Sequence, residues 1–239
     1  MEKLSIPDII ALVIFIACWL GYASMVRRFV PNAINMGLIG LRISWMRTML
    51  RRENRIVDSA LLGHVVHSAS FFTSTSLIVI GALLSLLSNI DRVQPAVEQL
   101  AFVAPIARMV FELKVALPLA VLLHGFACLT WSLRQLNYTI AMIGAAPDRR
   151  LLSGVLAERL AQAIGRSLSA ALSTFNTGIR AYYFAIGGLA WLIGPWALAL
   201  AGIAITLMLV WRQSYSTAAK HFREARAAMD EAHEQTLQE

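Results

Sequence analysis

Long runs of residues without a charge constrain this chain more than any other feature of its sequence. Residues 71–90 carry no charged side chain, and about twenty helical residues at about 1.5 Å each cross a hydrocarbon layer about 30 Å thick. The chain is 58% hydrophobic and has a mean hydropathy of +0.63, values typical of integral membrane proteins. The sequence therefore predicts a protein embedded in a membrane.

Apolar blocks of this kind predict an all-α integral membrane protein with four transmembrane helices. The predicted spans are residues 9–26, 65–90, 115–133 and 181–211. The last block is longer than one perpendicular span requires, so we expect a tilt or a kink at Gly194 and Pro195. Arginine-rich amphipathic helices are predicted in the first and third connections, at residues 32–52 and 149–172, and residues 213–239 form a charged tail that is helical or disordered.

Lysine and arginine are concentrated in the first and third connections between the spans. By the positive-inside rule, these two connections and their amphipathic helices face the cytoplasm, and an even number of spans then puts both termini outside. The expected location is the cell membrane, which means the inner membrane if the source is a bacterium.

The arginines that flank the apolar blocks also account for the net charge of +7. Their expected partners are the lipid bilayer and, at the arginine-rich connections, anionic lipids. The apolar face of the first amphipathic helix lies either on the membrane surface or against other helices of the protein. Nucleic acid is not an expected partner, because no basic helix is interleaved with exposed aromatic residues.

A stripe of small and hydroxyl residues follows one face of the second span. Steps of three, four and seven residues put the members of this stripe on one side of a helix. They are Gly63, His67, Ser70, Ser74, Gly81, Ser85 and Ser88. Such a stripe either packs against another helix or lines water, and the fourth span offers a small-residue face against which part of it is expected to pack. The candidate path-lining residues are Ser70, Ser74, Gly81, Ser85 and Ser88.

Polar residues at the ends of three spans are predicted to converge at one level of the membrane. This candidate cytoplasmic cluster contains Asp58, His64, His67, Arg134, Asn137, Asn176 and Arg180. It is either an inter-helix clamp, in which Asp58 pairs with Arg134 or Arg180, or a vestibule whose arginines attract anions. His124 lies at the midpoint of the third span, where it either forms a hydrogen bond to Ser74 or Thr75 or acts as a gate.

Neither a cofactor nor a metal ion is expected. His64 and His67 have the spacing of a metal-binding pair, but His124 lies roughly 15 Å deeper by helical rise, which also argues against a haem between His67 and His124. The sequence has no nucleophile elbow, phosphate loop or paired carboxylates, so we do not expect an enzyme.

Three segments together resemble a known family. They are SFFTSTS at residues 70–76, WSLRQLNY at residues 131–138 and FNTGIRAYYF at residues 175–184. With the Gly194–Pro195 break, they resemble the bacterial and plant membrane family catalogued as domain of unknown function 599, over nearly the whole chain apart from the tail. The resemblance implies a four-span membrane protein and no particular activity.

Two functions of different kinds fit the sequence. The first is a homo-oligomeric channel or transporter-like unit for ions or small polar solutes, with its path between subunits. The second is a membrane scaffold or accessory subunit with no transport activity. A haem- or metal-binding membrane protein is a third alternative.

Overall fold

The computed structural model describes residues 4–29, 34–99, 107–152 and 154–238, and within these ranges the chain is helical and contains no strand. The helices are α1 (Ile6–Phe29), α2 (Ile34–Arg51), α3 (Ile56–Ser88), α4 (Ile90–Glu98), α5 (Arg108–Gly144), α6 (Gly154–Gly188), α7 (Pro195–Ser214) and α8 (Thr217–Gln238). Four of them, α1, α3, α5 and α7, are long and apolar enough to cross a membrane. The predicted all-α class with four helices of spanning character is confirmed. Residues 32, 33 and 153 of the predicted amphipathic helices, and residue 239 of the tail, lie outside the described ranges.

Helices α5 and α6 form an antiparallel pair that is the central structural unit of the molecule. The two helices have 37 and 35 residues, so each is about 50 Å long and exceeds the hydrocarbon layer by about 20 Å. Glycines bring them close together, because a Cβ on Gly178 would lie 2.6 Å from Leu129 Cγ and one on Gly125 would lie 2.7 Å from Ala181 Cβ. Small residues thus allow the tight helix contact that packing in lipid requires.

The length of this pair divides the molecule into two parts. The membrane part contains α1, α7 and the apolar segments of α3, α5 and α6, with Phe15, Phe184 and Leu198 fully buried in its core. What we call the extension is formed by α2, residues 56–70 of α3, residues 134–144 of α5 and residues 154–170 of α6. Its own core includes the fully buried side chains of Met46, Met49, Ile164, Leu168 and Ala161.

Helix α2 belongs to the extension and packs on the first half of α6. A Cβ on Gly165 would lie 2.8 Å from Ile43 Cα, and Arg47 donates two hydrogen bonds of 2.6 Å to the carboxylate of Glu158. The apolar face of the first amphipathic helix is therefore covered by protein in part: Met49 is fully buried, whereas Leu38 and Leu41 are half-buried. The predicted amphipathic helix at 149–172 is likewise part of a longer helix, since α6 continues to Gly188.

The predicted fourth span, residues 181–211, is divided in the structure. Its first residues end α6, a 3-10 turn follows at Leu189–Leu192, and α7 begins at Pro195. Pro195 has no N–H to donate and has a backbone angle suited to the first turn of a helix, so it ends one helix and starts the next. The chain folds back at this turn, and the second half of α6 becomes a fifth segment that crosses the membrane part.

Helices α1 and α7 run parallel across the membrane part. At one end, Trp191 Nε1 next to the fold-back donates a 2.8 Å hydrogen bond to the Asp8 carboxylate. At the other end, Gln213 Nε2 donates a 2.9 Å bond to the Tyr22 hydroxyl. The start of α1 and the end of α7 therefore lie at opposite ends of the membrane part. This corrects the prediction that both termini share a side, which counted residues 181–211 as one crossing.

Candidate functional site

A cavity of about 310 Å³ with both polar and apolar walls lies where the membrane part meets the extension. Helices α1, α2, α6 and α7 surround it, and we call it the arginine cavity. Its lining residues are Tyr22, Ala23, Val26, Arg27, Ile39, Arg42, Ser169, Ser173, Asn176, Thr177, Arg180 and Gln213. Because Tyr22 and Arg27 are near the end of α1 and Gln213 is near the end of α7, the cavity lies at the level where these two helices of spanning length end.

One face of α6 supplies most of the polar lining. Ser169, Ser173, Asn176, Thr177 and Arg180 are separated by steps of one, three and four residues, which puts them on the same side of the helix. The Ser169 hydroxyl donates to the Gly165 carbonyl at 2.8 Å and the Thr177 hydroxyl donates to the Ser173 carbonyl at 3.1 Å. These bonds satisfy the hydroxyl protons within the helix and keep the face regular.

The Arg180 guanidinium is held in place inside the cavity. It lies over the Tyr22 ring, 5.1 Å from the ring centre, and its Nη2 donates a 2.7 Å hydrogen bond to Thr177 Oγ1. A guanidinium carries five N–H donors in a fixed plane, so these contacts orient Arg180 while leaving donors for a ligand.

Arg42 reaches the cavity from α2 and is half-buried. It has neither a hydrogen bond nor an ion pair with any residue in the described ranges. Burial lowers the pKa of the Arg42 guanidinium from its usual value, yet an arginine stays charged at neutral pH. Arg27 supplies a third guanidinium, which is exposed and donates to Ser24 Oγ at 3.4 Å.

The cavity has an unbalanced charge. Three arginines line it, and no aspartate or glutamate does so within the part of the chain that the structure describes. A partly buried charge without a counter-ion is unfavourable, because the group loses water without gaining a partner. Guanidinium, amide and hydroxyl groups together match the oxygen atoms of a phosphate or a carboxylate. The arrangement can therefore hold an anion.

Only two members of the predicted cytoplasmic cluster, Asn176 and Arg180, line this cavity. Asp58 is fully buried elsewhere, where its carboxylate accepts from Trp45 Nε1 at 2.7 Å and from Arg52 Nη1 at 2.8 Å. The predicted pairing of Asp58 with Arg134 or Arg180 is therefore wrong. The reason is local: the end of α2 lies next to the first turn of α3, so Trp45 and Arg52 donate their hydrogen bonds to Asp58.

The remaining members of that cluster are exposed on the outer surface of the extension. They are His64, His67, Arg134 and Asn137. The opposite sides of their helices pack in the core of the extension, which turns these four side chains outward. Among them, Arg134 donates a hydrogen bond to the Tyr138 hydroxyl on α5 at 3.4 Å.

Most of the serine stripe faces away from the other described helices, and Ser70 is half-buried. Ser74, Ser85 and Ser88 are exposed, and a Cβ on Gly63 or Gly81 would meet nothing within 4 Å. The expectation that the stripe packs against the small-residue face of the fourth span is wrong. Helix α3 packs on α5, whereas α7 packs on α1, because the returning half of α6 lies in the centre of the bundle.

His124 lies on the side of α5 that faces α1. Its ring meets the Trp19 ring edge to face at 5.4 Å, and its Nε2 is 3.6 Å from the Cys128 sulfur. The predicted hydrogen bond to Ser74 or Thr75 does not form, and the Thr75 hydroxyl donates instead to the Phe71 carbonyl at 2.9 Å.

Ten of the twelve lining residues were not predicted from the sequence, among them Tyr22, Arg27, Arg42 and Gln213. These four come from three helices, of which α7 is far from α1 and α2 in the sequence, and no spacing rule connects them. Arg42 gave the one local signal, since it lies between the apolar and the charged faces of its helix.

The helices and the cavity define the class: a multi-span α-helical membrane protein with a basic cavity at the end of its spans. The chain belongs to the family described as "Protein of unknown function, DUF599", which matches residues 10–218. This confirms the resemblance based on the three sequence segments. No curated protein and no solved structure matches the chain.

Proposed function

We propose that this protein binds an anionic ligand in the arginine cavity, at the cytoplasmic surface of the cell membrane. The observation that carries the proposal is the presence of three guanidinium groups around one cavity, those of Arg42 and Arg180 half-buried, with no acidic side chain among its described lining residues. The side of the membrane follows from the arginine-rich extension and the positive-inside rule.

The geometry supports a selective site rather than a diffuse basic surface. Arg180 is oriented by Tyr22 and Thr177 before any ligand arrives, which reduces the entropy cost of binding. Arg42 approaches from a different helix, so an anion would bridge α2 and α6. The side chains present are those that hold an anion, and we propose a binding role rather than catalysis.

The test measures binding of inorganic phosphate to the purified protein by calorimetry. We expect saturable binding that Arg42→Gln and Arg180→Gln each weaken by about tenfold or more, because charged hydrogen bonds contribute about 1.5–3 kcal/mol each. Arg28→Gln is the matched control, since Arg28 is exposed at the same end of α1 and does not line the cavity. Absence of saturable binding, or equal binding in the wild type and both cavity variants, would overturn the proposal.

A second function is favoured by the outward direction of the serine stripe. Exposed hydroxyl and glycine positions on α3 suit a water-filled or close-packed interface with another copy better than they suit lipid. We propose on this basis a homo-oligomeric channel or transporter-like unit whose path lies between α3 helices. Its rival is a scaffold or accessory subunit, in which the same stripe is a dry interface.

A further inference from the structure

We infer that the ligand of the arginine cavity is the phosphate headgroup of an anionic membrane lipid. The inference rests on the proposed function, since it names the class of anion that the same cavity takes. Three independent features of the cavity carry it: its depth, the composition of its walls and the surface around it.

The depth of the cavity is that of a lipid headgroup. Its lining includes Tyr22 on α1 and Gln213 on α7, and the hydrogen bond between them joins the last turn of α7 to a position about two turns before the end of α1. Beyond the cavity in one direction lies the apolar core of the membrane part, and in the other direction lies the extension. Headgroup phosphates occupy this layer, whereas a soluble anion would have to enter it from water.

The walls of the cavity are amphiphilic. The guanidinium groups share the cavity with the apolar side chains of Ala23, Val26 and Ile39. Ile39 is 44% exposed although it lies beside a charged cavity. A lipid offers both a phosphate for the arginines and glycerol and acyl carbons for these side chains, whereas a small soluble anion offers only the first.

The surface near the cavity has the composition of a membrane interface. Trp211 is 58% exposed and Tyr215 is 77% exposed, on either side of the cavity residue Gln213. Phe29, two residues after Arg27, is 75% exposed. Exposed aromatic residues of this kind sit at the headgroup level of bilayers. Exposed aromatic residues of the interfacial type therefore occur on both helices, α1 and α7, that end near the arginine cavity.

The net charge of the cavity selects among lipids. A zwitterionic phosphatidylcholine headgroup brings its own quaternary ammonium, which three arginines repel. An anionic phosphatidylglycerol headgroup carries one negative charge and a small polar end that fits amide and hydroxyl groups. We therefore expect preference for phosphatidylglycerol over phosphatidylcholine.

The experiment is native mass spectrometry of the full chain from mixed micelles with equal amounts of phosphatidylglycerol and phosphatidylcholine. The wild type should retain one phosphatidylglycerol more than Arg42→Gln or Arg180→Gln, and Arg28→Gln should retain as much as the wild type. Arg42→Lys should be intermediate, because lysine keeps the charge but loses the planar pair of donors. Elution volume and thermal midpoint show that each variant is folded.

The outcomes separate this inference from the proposed function. If inorganic phosphate binds in a manner that depends on Arg42, while phosphatidylglycerol is retained equally by all variants, the ligand is a soluble anion and only the lipid inference fails. If neither probe depends on Arg42 and Arg180, both proposals fail. Equal retention of the two lipids by the wild type also overturns the inference.

Discussion

At the residue scale, the carboxylate of Asp58 shows how α2 and α3 are held together in the extension. It has no exposed surface, and it receives hydrogen bonds from the indole of Trp45 and the guanidinium of Arg52. Both donors come from the end of α2 or just beyond it, whereas Asp58 lies in the first turn of α3. The two contacts therefore fix the corner between these helices.

Replacing Asp58 by alanine should destabilise the protein. The change leaves the Trp45 N–H without a partner and an arginine without its counter-ion, with an expected cost of about 2 kcal/mol after allowance for the partial exposure of Arg52. The thermal midpoint in detergent should fall by about 5 °C or more.

Asp91→Ala is the matched control for this measurement. The Asp91 carboxylate also pairs with an arginine, Arg108, but both side chains are largely exposed, so its loss should change the midpoint by about 2 °C or less. Equal effects of the two substitutions would show that the corner is not held by Asp58.

At the element scale, α3 differs from α1 because its outward face carries hydroxyl groups, whereas the outward face of α1 is lined by Ile9, Val13 and Leu20. The hydroxyl groups of α3 lie on both sides: Ser76 is fully buried and forms a 2.5 Å hydrogen bond with the Tyr182 hydroxyl, whereas Ser74 and Ser85 point outward. The accessibility of the outward positions Ser74 and Ser85 to water can therefore be compared with that of the buried position Ser76 on the same helix.

Cysteine labelling of α3 tests the channel or transporter-like function. On a cysteine-free background, Ser74→Cys and Ser85→Cys should react with a water-soluble reagent in the assembled protein, because a conducting path keeps these positions wet. Ser76→Cys should stay protected as the buried control. Uniform protection of all three positions would favour the scaffold, and flux that persists in Ser74→Trp would exclude a path along this face.

The helices illustrate what a sequence of this kind can predict. Length and hydropathy were sufficient for α1, α3 and α5, because their apolar runs are continuous. They were insufficient for α6, whose membrane-crossing half contains Asn176 and Arg180 and is shielded by other helices. A helix in the centre of a bundle does not face lipid and needs no apolar outer face, so hydropathy alone does not identify it as a membrane-crossing helix.

The cavity was predictable only in part, for a related reason. Asn176 and Arg180 lie on a regular polar face of one helix, and their spacing in the sequence reveals it. Arg27 and Arg42 meet that face only through the packing of α1 and α2 on α6. Such packing depends on side-chain shapes in three helices and leaves no periodic signal in any one of them.

At the scale of the whole molecule, the fold-back at Leu189–Leu192 determines the topology. It gives the membrane part five crossing segments, with the start of α1 and the end of α7 at opposite ends. From this arrangement and the positive-inside rule, we expect the start of α1 outside and the end of α7 in the cytoplasm.

Membrane-impermeant thiol labelling in intact cells checks this topology. With native cysteines removed, Ser5→Cys should be labelled from outside, and Tyr215→Cys, at a position 77% exposed, should be labelled only after permeabilisation. Labelling of both positions from the same side would mean that the chain crosses the membrane an even number of times.

The hydrogen bond from Trp191 to Asp8 has a consequence for how the protein is made. It joins residues 183 positions apart. Helix α1 is synthesised first, and its inner face is covered only after the fold-back and α7 have been synthesised. Until α7 is inserted, the side chain of Phe15, against which Gly202 later packs, has only part of its final surroundings. A chain interrupted before α7 would thus present an open groove beside Phe15 to the lipid.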